Sequence, residues 1–312
     1  MQEVISGANL KKTYPSPKGQ QPLEALKGVS FSVNKGEIFG ILGPNGAGKT
    51  TTLEIIEGLK QQTSGSVSVL GLDNISQADQ IKRRIGIQLQ SSQYLHHLDL
   101  GELLDLFASL YGKKTDRKKL LGLVDLEEKE KAEFKDLSGG QKQRFTIASS
   151  LVHSPEILFL DEPTTGLDPK ARRQMWQLIK EINNKKITVV LTTHYMEEAE
   201  YLCNRVAIMD QGVILEIDEP KKLIDRLSDT TQISFFTENK LGREFFQNIA
   251  EIKKVFANFP KVILEINSLD KISAVVNLLK ENKISFYGFT VKTATLEDVY
   301  LDITGKEYEA EN

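Results

Sequence analysis

Apolar and polar positions alternate through the first forty residues. Ala8-Asn9-Leu10, Val29-Ser30-Phe31-Ser32-Val33 and Ile38-Phe39-Gly40-Ile41-Leu42 read as strands, with Pro15-Ser16-Pro17-Lys18-Gly19 as a loop. Two later runs, Ile157-Leu158-Phe159-Leu160 and Val189-Val190-Leu191, are short and almost wholly apolar. They suit strands buried on both faces of a parallel sheet. Each ends in polar residues, as a strand does at the carboxyl edge where ligands bind. Ahead of these runs, residues 98–136 read as helical. Leu103, Leu104, Phe107 and Leu110 recur at helical spacing, followed by the charged run Leu126-Glu127-Glu128-Lys129-Glu130-Lys131. Such a stripe predicts core packing and no catalytic role. Near residue 222 the character changes. After Glu219-Pro220 and the charged segment 221–226, a new alternation starts at Gln232-Ile233-Ser234-Phe235-Phe236. Strand candidates at 261–266 and 284–289 flank a helix candidate at 272–279. The pattern predicts an α/β domain over residues 1–222 and a small α+β domain over 223–312.

The candidate chemistry starts at Gly43-Pro44-Asn45-Gly46-Ala47-Gly48-Lys49-Thr50, which fits G-x-x-x-x-G-K-[ST]. It stands between the strand candidate 37–42 and a helix-like run over 51–57, the context a phosphate-binding loop requires. Glycines let the backbone curl until successive N–H groups point at a triphosphate. The opening helix adds unpaired N–H groups and the positive end of its dipole. Lys49 is placed for the β- and γ-phosphates and the Thr50 hydroxyl for Mg²⁺. Further on, Asp161 and Glu162 directly follow a buried apolar strand. In a phosphate-loop NTPase an Asp there holds Mg²⁺, and the next carboxylate can take a proton from the attacking water. Away from such a loop, the pair would read as an acidic turn ending a strand. Leu137-Ser138-Gly139-Gly140-Gln141 is a second Gly-rich helix start, with Ser138 as a natural N-cap. A second anion-seeking helix end is redundant within one chain unless it serves another chain's nucleotide, which suggests a dimer with shared sites.

Bulk properties narrow the partners. The 312 residues carry 40 Lys plus Arg against 43 Asp plus Glu, a formal net charge of −3, so no general attraction to nucleic acid is expected. Lys82-Arg83-Arg84 reads as a solvated helix face. Cys203 is the only cysteine, which excludes an intrachain disulfide and a Cys-based zinc site. The first residues lack the basic start and apolar run of a signal peptide. No apolar stretch approaches the ~20 residues that span a bilayer. Action at a membrane would therefore require a partner that carries the spanning helices.

Together these residues resemble the ATP-binding cassette family, the ATPase subunits of ABC transporters, from about residue 4 to residue 222 and in the family's motif order. Gly43 to Thr51 is similar to Walker A, residues 137–141 to the signature motif, Ile157 to Asp161 to Walker B, and Glu162 to the catalytic glutamate. Gly166-Leu167-Asp168 resembles the D-loop. His194, after Thr192-Thr193, resembles the switch histidine, and Tyr14 the aromatic residue that stacks on adenine. By motif order the Mg²⁺-contacting glutamine is Gln90. Gln88 is the alternative, because the aromatic and proline often found nearby are missing.

The resemblance implies a P-loop NTPase core with a parallel sheet, an N-terminal antiparallel β-subdomain, a helical signature subdomain and a small C-terminal α+β domain. It implies ATP and Mg²⁺ as cofactors, with Thr50, Gln90 and Asp161 on the metal and Glu162 and His194 as catalytic residues. Two copies would pair head to tail, each Walker A sharing its ATP with the other chain's Ser138-Gly139-Gly140. A separate transmembrane permease would hold the pair at the cytoplasmic face of the cell membrane. The segment Thr295-Leu296-Glu297-Asp298-Val299-Tyr300-Leu301-Asp302-Ile303-Thr304-Gly305 resembles the terminal motif of bacterial subunits that often export antibiotics, drugs, lipids or polysaccharides. Leu296, Val299, Tyr300 and Ile303 also have the spacing of one amphipathic helix. Two rival classes are a stand-alone cassette ATPase acting as a mechanical factor and a regulatory protein that binds ATP without turnover. The first usually fuses two cassettes or carries a long coiled-coil insertion, absent here; Glu162 and His194 argue against the second.

Overall fold

A computed structural model describes residues 2–15, 21–88, 94–95, 97–227, 231–247, 252–266 and 271–305. They form two compact units, with the chain passing from one to the other between Glu219 and Pro220.

The first unit opens with the strands β1 (Glu3–Tyr14) and β2 (Leu23–Asn34), paired antiparallel. Alternate positions of β2, Val29, Phe31 and Val33, are buried, which is the period-two pattern seen in the sequence. Then come β3 (Ile38–Leu42), α1 (Lys49–Ile56), β4 (Ser64–Val69), β5 (Leu72–Asp73), α2 (Ala78–Lys82) and β6 (Ile85–Gln88). The helices α3 (Leu100–Leu110), α4 (Arg117–Leu123) and α5 (Gly139–Ser150) precede β7 (Ile157–Asp161) and α6 (Pro169–Asn184). The unit closes with β8 (Thr188–Thr193), α7 (Met196–Leu202), β9 (Arg205–Asp210) and β10 (Val213–Asp218). One sheet has the order β2-β1-β4-β5 and is antiparallel. The other has the order β10-β9-β3-β8-β7-β6, parallel except for β9–β10. All residues of β3, β7 and β8 are buried, as wholly apolar runs in a covered parallel sheet must be.

The segment read as helical over 98–136 is more broken than its stripe suggests. Asp99 and Glu102 form a capping box that starts α3. Gly112 at φ 63 lies just beyond it, and α4 and two 3-10 turns follow. Leu103 and Leu104 are core, whereas Leu110 is 72% exposed, so the spacing overstated the apolar face. Between α3 and α4, Arg117 pairs with Asp105 and reaches Glu130. Of the basic trio, Arg84 forms a surface ion pair with Glu156 at 2.7 Å just beyond α2, and Lys82 and Arg83 are exposed.

The second unit contains α8 (Pro220–Leu227), β11 (Thr231–Thr237), a 3-10 turn (Arg243–Phe246), β12 (Ile252–Asn258), β13 (Lys261–Ile266), α9 (Lys271–Glu281), β14 (Phe286–Lys292) and α10 (Leu296–Thr304). Its antiparallel sheet runs β12-β13-β11-β14, the order of a split β-α-β arrangement. Ile233, Phe235, Phe246, Leu264, Val275 and Leu279 form its core. The strand expected from residue 284 starts at Phe286, because Ile284 N–H still bonds back to the Leu279 carbonyl at 2.9 Å. In α10, Leu296, Val299 and Tyr300 are buried while Ile303 is 37% exposed, so the amphipathic spacing marks a packing face three residues wide.

Candidate functional site

The register of the parallel sheet assembles the site. Leu42 pairs with Thr193 across β3–β8, and Asp161 pairs with Thr192 across β7–β8. The segments that leave these strands, starting at Gly43, Glu162 and His194, therefore emerge side by side at one carboxyl edge. A cleft of about 870 Å³ opens there, lined by residues of the Gly43–Thr51 segment together with Tyr14, Glu162, Thr165, His194, Tyr195 and Gln211. That size lies within the range of small-molecule sites.

Two of the three glycines from Gly43 to Gly48 are needed for space. A Cβ on Gly43 would lie 2.1 Å from the Met209 carbonyl oxygen, and one on Gly48 would lie 2.8 Å from that of Ala25. Gly48 also stands at φ 104, where a side chain would be strained, and it opens α1 with no side-chain cap. The helix thus starts with free N–H groups directed at the cleft. Lys49 is 4% exposed and donates to the carbonyls of Gly43 at 2.9 Å and Pro44 at 3.2 Å. Its ammonium also lies 3.3 Å from Glu162 Oε1. Burial pushes its pKa down, with Glu162 and Asp161 opposing.

Asp161 is buried at the end of β7 and accepts hydrogen bonds from the hydroxyls of Thr192 and, at 3.3 Å, Thr50. Burial raises its pKa, and neighbouring Glu162 adds to the rise. Glu162 stands at φ 48, a left-handed conformation that costs a non-glycine residue about 1–3 kcal/mol. Its N–H donates to Thr192 Oγ1 at 3.0 Å, Thr165 Oγ1 donates to Oε2 at 3.1 Å, and His194 Nδ1 lies 3.2 Å from Oε2. Burial pushes its pKa up, but Lys49, His194 and Thr165 outweigh that and hold the carboxyl below its ordinary value. The two carboxylates are therefore driven apart, the pattern that separates roles in an active site.

Tyr14 lines the cleft beside the loop, its hydroxyl 3.4 Å from Thr51 Oγ1 and its ring within 5.1 Å of the Lys12 ammonium and 5.5 Å of that of Lys60. Residues 137–141 do not line the cleft. Ser138 caps α5 in a capping box with Gln141, and Ser138 and Gly139 are exposed. Asp168 is exposed and caps α6, accepting from the N–H groups of Lys170 at 2.9 Å and Ala171 at 3.0 Å. Gln90 lies outside the described residues. Gln88 is buried at the end of β6, paired with Leu160, one position short of Asp161 on the neighbouring strand.

Two site residues escaped the sequence reading. Thr192 links Asp161 to the Glu162 backbone, and Thr165 holds the Glu162 carboxylate. Only the β7–β8 register makes Thr192 legible, whereas a hydroxyl three residues after Glu162 was a visible signal. Glu57, at the end of α1, is a third surprise. It is 2% exposed, and its pKa is raised from 4.5 to about 8, first by burial and then by Asp161 and Glu54. A carboxyl that titrates higher in the folded chain than in the unfolded one favours folding fully below pH 4.5 and loses that contribution as pH rises through 8. Glu57→Gln should flatten this profile and stabilise the chain at pH 9 by up to about 5 kcal/mol, at about 1.4 kcal/mol per pH unit. Denaturant melts at pH 5 and pH 9 check this; parallel profiles for both proteins would contradict it.

Fold and cleft together define a nucleoside-triphosphate-binding protein of the phosphate-loop class. Residues 26–165 match the family described as ABC transporter. The linearmycin resistance ATP-binding protein LnrL of Bacillus subtilis is 34% identical over 314 residues, covering 97% of this chain and 99% of that protein. Nod factor export ATP-binding protein I of Ralstonia nicotianae is 33% identical over 311 residues, covering 97% and 94%. A solved dimeric ATP-binding cassette in a post-hydrolysis state, bound to ADP and Pi, aligns with a TM-score of 0.63 and 29% identity over 69% of this chain and 98% of that one. The chain belongs to the ABC transporter family, as an ATP-binding cassette that hydrolyses ATP on a phosphate-loop NTPase fold. Among the described residues no helix is long and apolar enough to cross a membrane.

Proposed function

We propose that this chain is the ATPase subunit of an exporter, working as a head-to-tail pair on a separate transmembrane permease at the cytoplasmic face of the membrane. The cassette is its first unit, and the C-terminal unit is an accessory domain. The observation that carries the reading is the split of anion-seeking groups. Walker A, Glu162, His194 and Tyr14 share one cleft, whereas the capped helix end at Ser138-Gly139-Gly140 lies outside it, with Ser138 and Gly139 exposed. A second copy can bring its own Ser138 end to that cleft. The names of the relatives, a resistance protein and an export protein, favour export.

In this reading the loop N–H groups from Asn45 to Thr51 and the Lys49 ammonium hold the triphosphate, and Tyr14 stacks on adenine. Lys49 exchanges its Glu162 contact for the β- and γ-phosphates. Thr50, Asp161 and Gln90 suit Mg²⁺, which prefers oxygen donors and takes few from the protein. When bound, the metal would offset the negative charge of the phosphates. Glu162, held ionised, accepts the proton of the attacking water, and His194 stands beside it to steady the γ-phosphate. Leu137 to Gln141 of the partner copy closes over that phosphate, with Asp168 near the same seam. Hydrolysis removes the contact that bridges the copies, and the difference in affinity between open and closed pairs is the source of work.

Purification of the tagged chain from solubilised membranes tests the partner. A polytopic membrane protein in stoichiometric amount is expected. Recovery solely from the soluble fraction, with or without ribosomes, would contradict it.

A further inference from the structure

Glu198 on α7 is fully buried, four residues beyond His194, and has no part in the chemistry above. Its Oε1 accepts the Trp176 indole N–H at 2.8 Å, and Trp176 lies on α6, the helix that Asp168 caps. Thr193 precedes His194 and accepts the N–H of Tyr195 at 2.9 Å. One turn before Trp176, the Arg172 guanidinium sits 4.0 Å over the Tyr195 ring. The Trp176 ring stacks on Tyr201 at 5.0 Å. One face of α6 is thus clasped to the segment that carries His194.

We propose that Glu198 is a positioning residue for ATP hydrolysis. Through Trp176 it joins α6 to the segment that carries His194. His194 and Glu162 then hold their mutual geometry only while α6 is seated. A partner that presses on the Asp168 end of α6 acts on hydrolysis by this route. The inference rests on the reading that Glu162 and His194 act at the γ-phosphate.

Glutamine keeps the shape of the Glu198 side chain and an oxygen that can face Trp176. In the full chain, Glu198→Gln should keep kcat near that of the unaltered protein, since its amide oxygen still accepts from Trp176. Trp176→Phe keeps an aromatic ring and loses the donor. It should lower kcat about tenfold or more with ATP affinity unchanged, measured below the melting temperature of both proteins, because misplacement of reacting groups is costly while binding is not touched. In a His194→Ala background the same change should add nothing, since the clasp works through His194. Trp176 is the only tryptophan, so its emission reports the clasp: Glu198→Ala should shift it and Glu198→Gln should not. The proposal is overturned if Trp176→Phe keeps full kcat, if it loses affinity in step with kcat, or if its effect multiplies that of His194→Ala. A full rate in His194→Ala alone would overturn the underlying assignment of His194, and is read separately from the Trp176 result.

Discussion

Glu162→Gln is expected to bind ATP as tightly as the unaltered chain and to hydrolyse it slower by about 10²–10⁴, the usual weight of a general base. The geometry explains why the loss falls on kcat. Glu162 Oε2 already accepts from Thr165 and lies 3.2 Å from His194, and a glutamine fills the same volume between them. Binding groups of the loop do not depend on its charge, apart from Lys49, which turns to the phosphates once ATP is present. The amide, however, cannot take a proton. That Lys49, His194 and Thr165 hold the carboxyl below its ordinary value means the base is ready near neutral pH. Single-turnover hydrolysis beside equilibrium ATP binding checks the prediction, and an unchanged hydrolysis rate would remove Glu162 from the chemistry.

Lys49→Ala is expected to weaken ATP binding by about 10²-fold or more, since truncating one partner of a buried charged contact costs about 2–5 kcal/mol. Lys49 is 4% exposed and stays buried through bonds to two loop carbonyls and the Glu162 carboxylate. Its removal takes away the ammonium that the proposed function assigns to the β- and γ-phosphates. It also leaves Glu162 with less opposing charge, so that carboxyl should titrate higher. Nucleotide titration of the folded mutant reads the effect; near-normal affinity would contradict the role given to the loop.

Much of this fold was legible in the sequence, for identifiable reasons. The runs Ile157–Leu160 and Val189–Leu191 are apolar because both faces of β7 and β8 are covered, and that burial left a pattern readable without the structure. The phosphate loop was readable because glycine is required wherever its backbone approaches Met209 and Ala25. Elements at the edges were harder. β12 is an edge strand whose exposed positions include the apolar Phe256 and Ala257, so no strict polar–apolar alternation marks it in the sequence. Leu110 kept helical spacing and is nevertheless exposed, since spacing records direction around a helix and not what lies beyond its end. In the site, the motif residues could be named one by one, but Thr192 became meaningful only through its register opposite Asp161. Glu57 and Glu198 look like helix-surface charges in sequence, and only three-dimensional packing shows that both are buried.

The central claim is that two copies complete each other's ATP sites, and the solution mass of the Glu162→Gln chain tests it most directly. Blocking hydrolysis preserves the γ-phosphate that bridges the copies, so light scattering should give the 35.0 kDa monomer without nucleotide or with ADP and twice that mass with ATP. Ser138→Arg in the same background fills the space the partner's γ-phosphate needs and removes the α5 cap, while leaving that chain's own phosphate loop untouched. It should remain a monomer with ATP. A mass that responds neither to ATP nor to Ser138→Arg would contradict the shared-site account.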